Sequence, residues 1–140
     1  MTRGTVFAIY PGARLMTDEF KGDMGGFDDT GRELLFALKP DSLSGMTKKG
    51  FNMIMHQFNK DNFKYPSFEV YEEQVSYEKK GLKIDNKMCF SDWWYVINMM
   101  PEPLKVIDEQ GKVMMLSYKE IGVFNWNKRA FKVYAEEDKK

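Results

Sequence analysis

The chain has 140 residues, with 21 Lys and Arg balanced by 21 Asp and Glu, so its formal net charge is zero. That balance argues against nucleic acid as the main partner, because displacing phosphate counterions needs a surplus of Lys and Arg. Aromatic residues make up 15% of the chain, enough burial area to exclude disorder, and the length suits one domain, placed here at residues 1–135 with a charged tail at 136–140.

No apolar run reaches the ~18 residues of a membrane span, and no apolar leader precedes the first strand-like segment, so a cytoplasmic protein is expected. The single cysteine, Cys89, allows no internal disulfide.

In chain order, Gly4 to Tyr10 is a β-branched and aromatic run that predicts a strand. Pro11-Gly12 is a turn signal, and Ala13 to Phe20 completes a hairpin. Lys21 to Gly31 is a Gly- and Asp-rich loop. Thr30 and Glu33 then have capping-box spacing before Leu34, Leu35 and Leu38, which predicts a first helix ended by Pro40. After a loop at 41–45, a second helix is predicted over about Thr47 to Lys60, where Phe51, Ile54, Met55 and Phe58 form one apolar stripe.

The remainder reads as strands: Phe68 to Tyr77 with an irregularity between Val70 and Tyr71, Leu82 to Phe90, and Trp93 to Met99. A hairpin follows from Leu104 to Asp108 and Lys112 to Leu116 around Glu109-Gln110-Gly111, and a last strand from Phe131 to Ala135. The expected fold is α+β: a single antiparallel sheet packed by two helices.

Few residues suggest chemistry. One His and one Cys leave almost no room for a zinc site. His56, beside Met55 of the apolar stripe, reads as a partly buried structural residue, and Cys89, between Met88 and Phe90, as a buried inert thiol. The Gly22 to Gly31 loop before a helix has phosphate-cradling glycines, but Asp23, Asp28 and Asp29 would repel an anion, and helix capping is the plainer role. The run Asp92-Trp93-Trp94-Tyr95-Val96-Ile97-Asn98 either exposes one Trp by strand alternation or buries both.

Three segments together resemble small phage- and prophage-encoded proteins: a Thr2-Arg3-Gly4 opening, the acidic Glu19-Phe20-Lys21-Gly22-Asp23-Met24 stretch before the first helix, and the Asp-aromatic-x-Tyr-x-Ile-Asn strand at Asp92 to Asn98. The doubled Trp93-Trp94 and Met99-Met100-Pro101 depart from that pattern. The resemblance implies no defined activity. It implies a protein made in an infected or lysogenic bacterial cell, where small accessory phage proteins commonly blunt host defence.

The leading expectation is therefore a non-catalytic, homo-oligomeric binding protein that counteracts host defence by sequestering a signalling nucleotide or a host protein, with no cofactor. Trp93, Trp94 and Tyr95 would stack on the ligand, Arg3 and Arg14 would meet anionic groups, and Asp23 would accept hydrogen bonds from ribose or amine groups. One alternative is a small hydrolase using Thr2 as an N-terminal nucleophile, or a metal held by Glu19, Asp23 and Asp28. Another is a protein-interaction module with no small-molecule ligand, using Trp93 and Met99-Met100 as a contact face.

Overall fold

A computed structural model describes residues 3–12, 14–21, 34, 37–39, 43, 46–62, 71–74, 82–83, 93–107, 111–125 and 130–134. Strands β1 (Arg3–Tyr10) and β2 (Arg14–Lys21) form the predicted hairpin in full antiparallel register, from Arg3 opposite Lys21 to Tyr10 opposite Arg14. Gly12 lies in its turn at φ +82°, a left-handed conformation that glycine reaches without a Cβ penalty. Helix α1 (Lys48–Asn62) follows, then β3 (Tyr71–Gln74), β4 (Leu82–Lys83), β5 (Trp93–Asn98), β6 (Leu104–Ile107), β7 (Val113–Leu116), β8 (Ile121–Asn125) and β9 (Ala130–Tyr134).

These strands make two sheets, which corrects the single-sheet expectation. The larger has six strands in the order β3-β2-β1-β5-β8-β9, and the smaller has three in the order β4-β6-β7. Most pairings are antiparallel, but β1 runs parallel to β5 and β4 parallel to β6. The fold is α+β, with the six-stranded sheet as a middle layer between helical segments on one side and the small sheet on the other.

The middle strands explain this layering. Every residue of β5 is buried, as is every residue of β8, so neither has a solvent face. On one face, Val6, Ala8, Tyr10, Met16, Trp93, Tyr95, Ile97, Ile121 and Val123 pack with Phe51, Met55 and Phe58 of α1 and with Leu34, Leu38 and Leu43. On the other, Phe7, Ile9, Leu15, Trp94, Val96 and Phe124 pack with Met100 and with Leu104, Val106, Met114 and Leu116 of the small sheet. Strand alternation assigns the faces: odd residues of β5 point to the helix and even ones to the small sheet.

Helix α1 follows its predicted apolar stripe, with Ile54 partly buried against the same core. Thr47 is its N-cap. The Thr47 hydroxyl accepts from the Gly50 N–H at 3.1 Å, and its carbonyl accepts from the Phe51 N–H at 2.9 Å. At the other end, Asn62 Nδ2 donates to the Phe58 carbonyl at 2.9 Å, folding this last side chain back onto the final turn.

Of the first predicted helix, Leu34 and Ala37 are helical, the Leu38 N–H donates to the Leu34 carbonyl at 2.9 Å, and Lys39 lies beyond the helical turn; its remaining residues, including the capping pair Thr30 and Glu33, lie outside the described ones. Leu43, expected in a loop, is helical and fully buried. The segments predicted as strands at 68–70, 75–77 and 84–90 also lie outside, along with Cys89 and the 136–140 tail. β8 is a strand that the sequence reading did not predict. No helix among the described residues is long and apolar enough to cross a membrane.

Candidate functional site

The residues expected to stack on a ligand are core residues. Trp93 is 8% exposed, Trp94 1% and Tyr95 0%. Alternation over a half-covered strand requires one exposed Trp, but neither is exposed, because layers cover both faces of β5. Trp94 lies opposite Phe124 in the β5–β8 register, and the two rings pack with centroids 5.1 Å apart at a 30° tilt. A ligand would have to displace part of the hydrophobic core to reach either indole face. Met99 and Met100, offered as contact-face residues, are buried as well.

Arg14 is described and half-buried, and it is held locally. Its guanidinium lies over the Tyr10 ring at 4.8 Å, and Nη2 donates to the Met46 carbonyl at 3.1 Å. These contacts tie the end of the β1–β2 hairpin to the segment entering α1, a use of the cation that the sequence reading did not anticipate. Burial pushes the Tyr10 hydroxyl up to about 12, against a smaller lowering by Arg14.

Arg3 and Glu19 are described only as strand backbone, Arg3 opposite Lys21 and Glu19 opposite Thr5 in the β1–β2 register. Thr2, Asp23 and Asp28 lie outside the described residues, so the N-terminal nucleophile and the acidic metal site rest on no described geometry. Among the described residues there is no group of three or more His, Cys, Asp or Glu placed to hold a metal. His56 is half-buried on α1, in keeping with a structural position.

Asn98, which carried no assigned role, proves to be a polar residue joined to several segments at once. It is fully buried at the end of β5. Its Nδ2 donates to the Glu102 carbonyl at 3.0 Å and to the Leu116 carbonyl at 2.9 Å, while its Oδ1 accepts from the Met100 N–H at 2.9 Å. Its backbone N–H donates to the Glu120 carbonyl at 3.1 Å, and its carbonyl accepts from the Lys119 N–H at 2.8 Å. One side chain thus joins the large sheet, the approach to β6 and the end of β7. The turn it grips contains Lys119 at φ +69°, a left-handed conformation that costs a residue with a Cβ roughly 1–2 kcal/mol. The role is architectural.

Among the described residues there is a concave surface that could seat a ligand side chain. A groove of about 540 Å³ runs along α1, lined by Ala37, Met53, Ile54, Gln57, Phe58, Asp61 and Asn62. Ala37, Met53, Ile54 and Phe58 supply apolar surface; Met53 is 64% exposed, an unusual position for a large apolar side chain on an amphipathic helix. The other lining residues are polar: Gln57 Nε2 donates to Asp61 Oδ1 at 2.8 Å, which orients that carboxylate without exhausting its acceptor capacity. Helical spacing puts Met53, Gln57 and Asp61 in one row, i, i+4 and i+8. The sequence reading missed this row because it followed the stripe that faces the core.

Comparison with profiles of known protein families, with curated proteins and with solved structures finds no match.

Proposed function

We propose that the chain is a non-catalytic binding protein whose ligand is a protein of the bacterial host, held in the groove along α1. The observation that carries this reading is the groove itself. An apolar floor with an exposed, polarisable Met and an oriented carboxylate suits an apolar anchor side chain flanked by a Lys, Arg or amide donor. The resemblance to phage-encoded proteins supplies the host and the anti-defence context.

Of the two sequestered ligands expected from the sequence, the protein is favoured over the signalling nucleotide. The proposed stacking residues are in the core, and the charged residue on the groove is Asp61, which repels a phosphate.

The test is capture from bacterial lysate by the wild-type protein and by Met53→Glu, with native mass spectrometry against a panel of cyclic and ADP-ribose-type nucleotides in parallel. A defined protein retained by the wild type and lost by Met53→Glu, at unchanged melting temperature, is the expected result. Retention of the same protein by both would remove the groove from the reading. Retention of an intact nucleotide with no protein partner would replace the reading by nucleotide sequestration, and conversion of a nucleotide to product would make the chain an enzyme.

A further inference from the structure

We infer that β7 is a self-association edge, pairing antiparallel with β7 of a second copy of this chain. β7 is the outer strand of the three-stranded sheet, and among the described residues no strand pairs with its other side. Its side chains alternate: Met114 and Leu116 are buried against the large sheet, while Val113 is 47% and Met115 53% exposed. The strand itself, Val-Met-Met-Leu, contains no charge and no proline. It lacks two of the devices by which edge strands normally resist pairing, a charged side chain and a proline.

The second copy is the occupant because the edge is self-complementary. In a two-fold pairing centred on Met114, Val113 faces the partner's Met115, and Met115 faces the partner's Val113. Within one chain, Val113 is already in register with Ile107, and Met115 with Lys105. Each cross-sheet row then reads Ile107, Val113, the partner's Met115, the partner's Lys105. The apolar side chains meet in the middle, and the two Lys105 ammonium groups fall at opposite outer ends, where they remain in water. With strands about 4.8 Å apart, those lysines are separated by more than ~14 Å, beyond the screening length at physiological salt. A net charge of zero adds no general repulsion between copies.

Pairing joins two three-stranded sheets into one of six strands. Four-residue strands make a small contact, so the association is reversible and belongs in the micromolar range or weaker. It stands independently of the α1 groove, which lies on the other side of the large sheet.

Sedimentation equilibrium between roughly 1 µM and 1 mM, the span of weak interfaces, measures the association. The wild type is expected to shift from monomer to dimer across that range. Met115→Lys is expected to stay monomeric throughout with its thermal melt unchanged, because Met115 is exposed and the Lys would face the partner's Val113. A register test uses single cysteines in a Cys89→Ser background, oxidised alone and mixed. Val113→Cys and Met115→Cys are each expected to give no cross-linked dimer alone and a disulfide-linked dimer when mixed. A wild type that is monomeric at the highest concentration overturns the inference. So does a dimer that survives Met115→Lys, or cross-linking of either cysteine variant with itself.

Discussion

At the middle strands β5 and β8, both faces of the six-stranded sheet are buried, by different means. On the helix face, α1 contributes Phe51, Met55 and Phe58 to a cluster containing Trp93 and Tyr95, and the helix is fixed at its start by the Thr47 cap and the Arg14–Met46 bond. On the sheet face, Trp94 and Phe124 meet the small sheet, and that layer is also tied by Asn98 at the end of β5. Apolar burial is non-directional, whereas hydrogen bonds fix registry. Both layers therefore combine apolar area with a specific polar contact, the Arg14–Met46 bond on the helix side and the Asn98 junction on the small-sheet side.

The largest test compares the two indoles. Trp94→Ala and Trp93→Ala should each cost about 3–5 kcal/mol in denaturant unfolding, with Trp94→Ala the more costly because its ring is the more deeply buried, 1% against 8% exposed. Equal losses, or a larger loss at Trp93, would break the claim that the sheet face holds the more deeply buried indole.

The next test isolates the polar junction. Asn98→Ala removes three side-chain hydrogen bonds and strands the Leu116 carbonyl and the Met100 N–H in the interior, so a loss of about 3 kcal/mol is expected. Hydrogen exchange should report the loosening in β6 and β7 before it reaches α1. Uniform loosening of both layers would show that Asn98 does not act on one face in particular.

On the helix face, Thr47→Ala should cost about 1 kcal/mol, the value of one N-cap, and Thr47→Ser should restore most of it. No loss would mean that the helix N-terminus is held by its packing alone.

The smallest effect is visible only at high pH. Tyr10 is 2% exposed and, among the described residues, its hydroxyl has no hydrogen-bond partner. Its folded-state pKa is raised to about 12 from the ordinary 10.0, so the unfolded chain loses that proton first. Its contribution is therefore complete below pH ~10 and is lost progressively as pH rises from there through about 12. Tyr10→Phe should flatten that part of the stability profile while changing stability near neutrality by no more than ~1 kcal/mol. An unchanged alkaline slope would reassign it to other groups.

Much of this architecture was legible in the residues. The hairpin at Pro11-Gly12, helix α1 with its buried stripe, the β6–β7 hairpin and the last strand follow from local rules, because turn conformation, helix capping and apolar periodicity act over a few residues. Even the two-sided burial left a trace: β1 and β5 are nearly continuous apolar runs, which strands covered on both faces require. What covers each face was not written there. β8 was missed because Ile-Gly-Val-Phe-Asn is short and holds a glycine, which weakens any strand signal. Only tertiary packing makes it a strand, by inserting it between β5 and β9.

The candidate site divides the same way. Composition and charge set the class of molecule, and the sequence located aromatic residues that matter, yet their role depended on exposure. A Trp on a strand can stack on a ligand or fill a core with the same neighbours in sequence. Here the small sheet returning over β5 settles the position of Trp94, and the helix layer that of Trp93. The Met53 row on α1 and the exposed alternation of β7 were likewise present in sequence. They became surfaces only when long-range contacts decided which side of each element was already covered.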